Sequence, residues 1–156
     1  RLLRELSLPF NDGIASLAPL STPERLRYIN LESCRLDDAD MAALGNSDVL
    51  RTLLLDQNSI SNLDFVTGLP NLGRLYIRSN AVSDLTPLTQ LTDPTQLYLN
   101  NNAVTDIAPL VQMAEDGALG QYDVVDLSGN PLNRVSIDEY ILLLDTLYPV
   151  TVYYRP

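Results

Sequence analysis

The stretch "LYLNNNAVTDIAPL", residues 97–110, sets Leu97, Leu99, Val104, Ile107 and Leu110 around a single fixed asparagine, Asn102. Alternation in "LYL" sends Leu97 and Leu99 to one face of a short strand and Tyr98 to the other. The stretch belongs to a frame L-x-x-L-x-L-x-x-N-x-L that recurs along the chain. It is filled by Leu72, Leu75, Ile77, Asn80 and Val82, and by Leu50, Leu53, Leu55, Asn58 and Ile60. "LRYINLESCRL" fits with Leu26, Ile29, Leu31 and Leu36, and places Cys34 at the asparagine position. "YDVVDLSGNPL" fits with Val125, Leu127, Asn130 and Leu132. The opening segment fits with Leu3, Leu6, Leu8 and Asn11, then slips by one residue before Ile14, Leu17 and Leu20. Six copies in one register, with asparagine-position spacings of 23, 24, 22, 22 and 28, mark a repeat protein.

The frame resembles the leucine-rich repeat family, and its 22-residue spacing with "I/V-x-D-I/L-x-P-L" is similar to the bacterial internalin-type class. The resemblance covers nearly the whole chain. It implies an α/β solenoid, right-handed and curved, with short parallel strands on a concave face and 3₁₀ or helical segments behind. It also implies a recognition module in an extracellular or cell-surface setting.

Physical reading of the residues leads to the same fold. Stacked copies bury their leucines in one continuous core that no single copy could form. Asn102 falls where the chain leaves its strand, and its amide can both donate to and accept from backbone groups of neighbouring coils. It reads as a ladder residue, with Asn100 and Asn101 exposed beside it. Ser61, Ser83 and Thr105 suit caps or turns at the start of the segments behind. Pro19, Pro87 and Pro109 suit first helical turns, and Asp84 and Asp106 place negative charge at those starts.

Two segments break the period. "LDDADMAAL", residues 36–44, has apolar positions at Leu36, Ala39, Met41 and Leu44 and predicts a helix. The six extra residues within 111–123 predict a loop or a longer helix. Repeats occupy residues 1–135 of a single domain, and 136–156 read as a C-terminal capping unit. There Ser136 opens a capping box with Glu139. Ile137, Tyr140, Ile141, Leu144 and Leu147 follow at helical spacing, and Val150, Val152 and Tyr154 form a last strand. The chain lacks an opening methionine and a signal-like segment, and is expected to be part of something longer. Leu2, Leu3 and Leu6 would then lie on a bare N-terminal edge, available to self-association or to upstream sequence.

Composition narrows the function. The net charge is −10 with an isoelectric point near 4.2, which repels nucleic acid and anionic lipid. No stretch is long and apolar enough for membrane insertion. With no histidine and one cysteine, histidine-based triads and zinc sites are excluded. Cys34 reads as a small buried residue rather than a reactive thiol. Asp37, Asp38 and Asp40 read as a capping acidic face rather than a cation loop. Asp123 with Asp126, or Asp138 with Glu139, could pair as acid and base, but nothing places a cleft beside them. "LSGN" lacks the rest of a phosphate loop, and no cofactor is called for.

The informative residues lie on the strand face that the core does not use. They are Tyr28 and Glu32, then Leu54 and Asp56, then Arg74, Tyr76 and Arg78, then Tyr98, Asn100 and Asp126. Asn30, Leu54, Tyr76, Tyr98 and Asp126 should form one column. Tyr76 and Tyr98 could serve simply as cross-strand packers, but aromatic, arginine and spare leucine residues together suit the centre of an interface. The expected role is a non-catalytic module that binds a protein, or a glycan, through this face. An intracellular regulatory scaffold, which similar repeats in phosphatase-regulatory proteins suggest, and a spacer between domains stay open beside it.

Overall fold

The computed structural model describes residues 3–20 and 25–156. Seven three-residue strands form one parallel sheet in sequence order: β1 Glu5–Ser7, β2 Tyr28–Asn30, β3 Thr52–Leu54, β4 Arg74–Tyr76, β5 Gln96–Tyr98, β6 Val124–Asp126 and β7 Thr151–Tyr153. Register is in step throughout: Ile29, Leu53, Leu75, Leu97 and Val125 face one another from strand to strand. These residues have no accessible surface. Each strand is short because the chain must turn back across the core to start the next coil.

The segments behind the sheet are brief. They are 3₁₀ turns at Ala18–Leu20, Asp64–Gly68 and Thr86–Gln90, and helices α1 Asp38–Ala42, α2 Ala108–Glu115 and α3 Ile141–Thr146. A π-helical turn, Ser136–Tyr140, runs directly into α3. Leu63, Val66, Leu85, Leu88, Ile107 and Leu110 bury their side chains from this side, so core leucines meet core leucines from both walls. Pro87 and Pro109 sit in the first turns, where a missing N–H is harmless. The first part of the insert extends the helical turn at Ala108 into the eight-residue α2, which buries Leu110, Val111, Met113 and Ala114, and the rest, 116–123, is loop. Gly117, at φ +78°, ends it with N–H bonds from Gly117 to Ala114 and from Ala118 to Met113.

The asparagine ladder is present. The amide NH₂ of Asn102 donates to Leu99 O in its own turn and to Ile77 O in the preceding coil, while its oxygen accepts from Val82 N. Asn80 and Asn130 make the same set of bonds to their own and the preceding coil, and so does Asn58, whose oxygen accepts from Cys34 N as well as from Leu36 N. Cys34 is buried at its ladder position, with Sγ 3.1 Å from Leu8 O. Immediately before each ladder residue the chain passes through a left-handed turn, at Phe10, Ser33, Gln57, Ser79, Asn101 and Gly129. Only the last of these is a glycine.

Several local expectations are corrected. The residues that cap the segments behind are Asn62, Asp84 and Asp106, one position later than Ser61, Ser83 and Thr105. Their side-chain oxygens accept from the N–H two residues on, at 2.6, 2.8 and 2.9 Å. Asn100 is half-buried rather than exposed, whereas Asn101 is exposed. α1 has only five residues, and Ala39 faces solvent.

Ser136 does not open a capping box. Its hydroxyl is buried between Thr105 O and Ile107 N, and Asn133 caps the C-terminal helix by accepting from Ser136 N at 2.8 Å. Ile137 and Leu147 are exposed despite their helical spacing. In the first coil Leu3 and Leu8 remain 57% and 40% exposed, since β1 has a neighbour on one side only. Leu2 lies outside the described residues.

Candidate functional site

The sheet face turned away from the core carries three rows of side chains. The first strand position gives Tyr28, Thr52, Arg74 and Gln96, and the third gives Asn30, Leu54, Tyr76, Tyr98 and Asp126, in register as expected. Backbone pairing continues beyond the strands, with Ser33 N bonded to Asp56 O, Gln57 N to Arg78 O and Ser79 N to Asn100 O. A third row follows from it: Glu32, Asp56, Arg78 and Asn100. All ten candidate residues therefore share one face.

Four of them form a cluster. The Tyr76 and Tyr98 rings stack with centroids 4.7 Å apart and planes 21° from parallel. The Arg78 guanidinium lies over both rings, 5.2 Å from the Tyr76 centroid and 4.7 Å from that of Tyr98. Asp56 holds Arg78 from the neighbouring coil: it accepts from Arg78 N at 2.7 Å, and its other oxygen is 3.5 Å from Nε. Arg78 thus roofs the aromatic pair by cation–π attraction rather than flanking it with a free fork. Tyr76 OH donates to Gln96 Oε1 at 2.9 Å, a partner that the sequence pattern did not single out.

Burial, the largest influence, pushes the Asp56 carboxyl above its ordinary range, and the nearby Glu32 charge pushes the same way. The Arg78 N–H and guanidinium act in the opposite direction. A half-buried anion, a half-buried cation and two ring faces make a preorganised polar and aromatic centre. Leu54 extends it toward β2 on the same row.

The remaining candidates are on the face but outside this cluster. Arg74 is exposed beside the start of β4. Tyr28 stands two strands away from Arg74 in its row. Asp126 turns its carboxylate back to Ser128 N at 3.0 Å. Tyr153 continues the central column on β7 and is 55% exposed; the alternation in "VTVYY" is the sequence signal that puts it outward, beyond the ten candidate residues.

Of the other acidic groups weighed from the sequence, most serve the backbone. Asp37 and Asp40 form a reciprocal capping box on α1, and Asp38 accepts from Ser61 N, Ser61 Oγ and Asn62 N. Asp123 accepts from Gly120 N, and Asp138 lies 3.8 Å from Arg134. Among the described residues, no three His, Cys, Asp or Glu side chains converge to hold a metal ion. No helix among them is long and apolar enough to cross a membrane.

A repeated coil with one inward leucine ladder, one asparagine ladder and a parallel strand from every repeat defines a leucine-rich repeat solenoid. Among solved structures, internalin C2 of Listeria monocytogenes matches with a TM-score of 0.69 and 28% identity, over 98% of this chain and 71% of that one. Internalin F of the same organism matches with 0.71 and 22% identity, over 97% of this chain and 43% of that one. The functional domain of its internalin J, which includes a cysteine ladder, gives 0.58 and 20% identity over 81% and 27%. No protein-family model and no curated protein sequence matches the chain. The chain therefore has the fold of a leucine-rich repeat solenoid, and the solved structures it resembles are internalins.

Proposed function

We propose that this chain is a non-catalytic recognition module that binds a protein partner through the concave strand face, centred on Tyr76 and Tyr98, in an extracellular or cell-surface setting. The observation that carries the reading is the stacked pair of rings under Arg78, held by Asp56. Core packing does not require it, because Leu75 and Leu97 already fill the interior from the same two strands. Aromatic and arginine side chains at an interface centre commonly contribute about 2 kcal/mol or more each to binding. Glu32, Asn100 and Asp126 form a polar rim around that centre, while Tyr28 and Arg74 extend the face toward the starts of the strands.

The test compares the protein with a Tyr76→Ala, Tyr98→Ala double variant, both immobilised against candidate partner proteins and a glycan array. A protein ligand held by the former and released by the latter, with the melting temperature within a few degrees, supports the reading. A ligand that survives the double change but is lost when residues 111–123 are altered places the site on the flank and overturns it. Retention of glycans alone would overturn the protein-partner assignment.

A further inference from the structure

Although the chain is strongly acidic, five of its ten arginines gather where it enters the first four strands: Arg4, Arg25, Arg27, Arg51 and Arg74. Arg4, Arg27 and Arg51 each stand directly before a strand. Backbone bonds from Arg27 N to Arg4 O (2.8 Å) and from Arg51 N to Arg27 O (3.0 Å) place them on successive coils. Successive strands lie about 4.8 Å apart, so like charges are brought close, which costs Coulomb energy. Among the described residues the ion pairs are Arg35–Asp12, Arg78–Asp56 and Arg134–Asp138; none involves these five.

Arg51 has a structural task, since its Nη1 donates to the carbonyls of Asp48, Leu50 and Asn71. The others have no such bonds among the described residues. Arg4, Arg25 and Arg27 line a hollow of about 320 Å³ beside Val49. The next hollow along the same edge, about 450 Å³, runs from Arg51 and Arg74 to Asp93, which closes the basic run.

We propose that this strand-start edge docks an acidic polypeptide segment, its carboxylates seated between Arg4, Arg25 and Arg27 and reaching toward Arg74. Guanidinium groups are permanently charged planar forks that match carboxylates in a bidentate manner. From the coil of Arg4 to that of Arg74 is three strand spacings, about 14 Å, the length of roughly four extended residues. A short acidic segment within a mixed protein surface can meet this edge alone. A long uniform polyanion would also meet the acidic remainder of the molecule. The opposite margin of the same face carries Glu32 and the paired Asp56 and Arg78, so the run of like-charged arginines is confined to the strand-start margin and fixes which way round a partner sits. The proposal rests on the recognition reading only in taking the occupant to be a protein.

The experiment titrates the protein with octaglutamate at low salt and follows the arginine side-chain N–H signals by NMR. A heparin hexasaccharide serves as the second probe. Signals of Arg4, Arg25, Arg27 and Arg74 should move while that of Arg134 stays. Arg4→Gln with Arg27→Gln should weaken peptide binding by about tenfold or more, as loss of charge-assisted bonds implies, with the melting temperature unchanged. The Tyr76→Ala, Tyr98→Ala variant should bind octaglutamate as before, which separates this site from the aromatic column. No movement of these four signals, affinity indifferent to the paired arginine change, loss of binding in the tyrosine variant, or binding of the hexasaccharide alone would each overturn the proposal.

Discussion

The Asn102 amide holds backbone groups from two coils, donating to Ile77 O and Leu99 O and accepting from Val82 N. Alanine cannot replace any of these bonds, and the groups left behind lie inside the coil. Asn80→Ala and Asn102→Ala are each expected to lower stability by about 1–3 kcal/mol in urea denaturation. Unchanged melts for both would show that water replaces the ladder at no cost. Asn101 faces a different constraint. It is exposed, but its φ of +57° is a left-handed conformation that asparagine tolerates and branched residues do not. Asn101→Gly should therefore be nearly silent, and Asn101→Val should cost about 1–2 kcal/mol. At Asp56 the constraint is electrostatic. Burial raises its folded pKa above 3.8, so the folded state holds the proton more tightly than the unfolded chain. Its contribution to stability is complete below pH 3.8 and is lost as pH rises through the raised value. Asp84 has the opposite sign. Bonds from the Thr86 hydroxyl and N–H lower it, so its contribution is complete above pH 3.8 and is lost as pH falls through the lowered value. Carboxyl-carbon NMR titration should place the Asp56 midpoint above 3.8 and the Asp84 midpoint below it.

At the scale of elements, the caps decide where each segment behind the sheet begins. Asn133 accepts from Ser136 N, while the Ser136 hydroxyl ties Thr105 O to Ile107 N in the coil before. Asn133→Ala should cost about 1 kcal/mol in thermal melts, as for other N-caps, and Glu139→Ala should change little. Equal losses at both would restore the capping box that the sequence pattern suggested. The strands were legible in the sequence because their alternation repeats six times in register, so every inward leucine is specified many times over. The caps were not. Ser83 and Asp84 are adjacent and both can cap, and the choice between them lies in backbone angles rather than residue type. The position of Arg78 was hidden for a similar reason. Sequence places it in the third row next to Asp56, but only side-chain packing brings its guanidinium over both rings. The exposed Leu3 was legible as part of a first coil with no preceding copy, whereas Leu6, expected on the same bare edge, is half-buried against the core.

Across the whole molecule, a coil is complete only when another stacks on each side. Among the described residues β1 pairs with β2 alone, and Leu3, Leu8 and Phe10 are 57%, 40% and 72% exposed around it. The Asn11 amide donates to Leu8 O and Pro9 O of its own turn, while its oxygen receives no bond among the described residues. In Asn58, Asn80, Asn102 and Asn130 that oxygen accepts from the coil before. This edge is therefore chemically prepared for another strand and turn, and an unpaired strand edge with apolar surface invites association. The other end of the sheet is open at β7 as well, with Leu142, Leu147 and Tyr153 exposed near it. We propose that the β1 edge is the stronger contact, because it offers both an unused ladder acceptor and apolar side chains. Sedimentation velocity across a concentration series should show reversible association. Leu8→Asp with Phe10→Asp should abolish it, and Leu142→Asp with Leu147→Asp should leave it intact. Association lost only in the second pair would move the contact to the C-terminal end. A monomer at every concentration would show that solvent satisfies the β1 edge on its own.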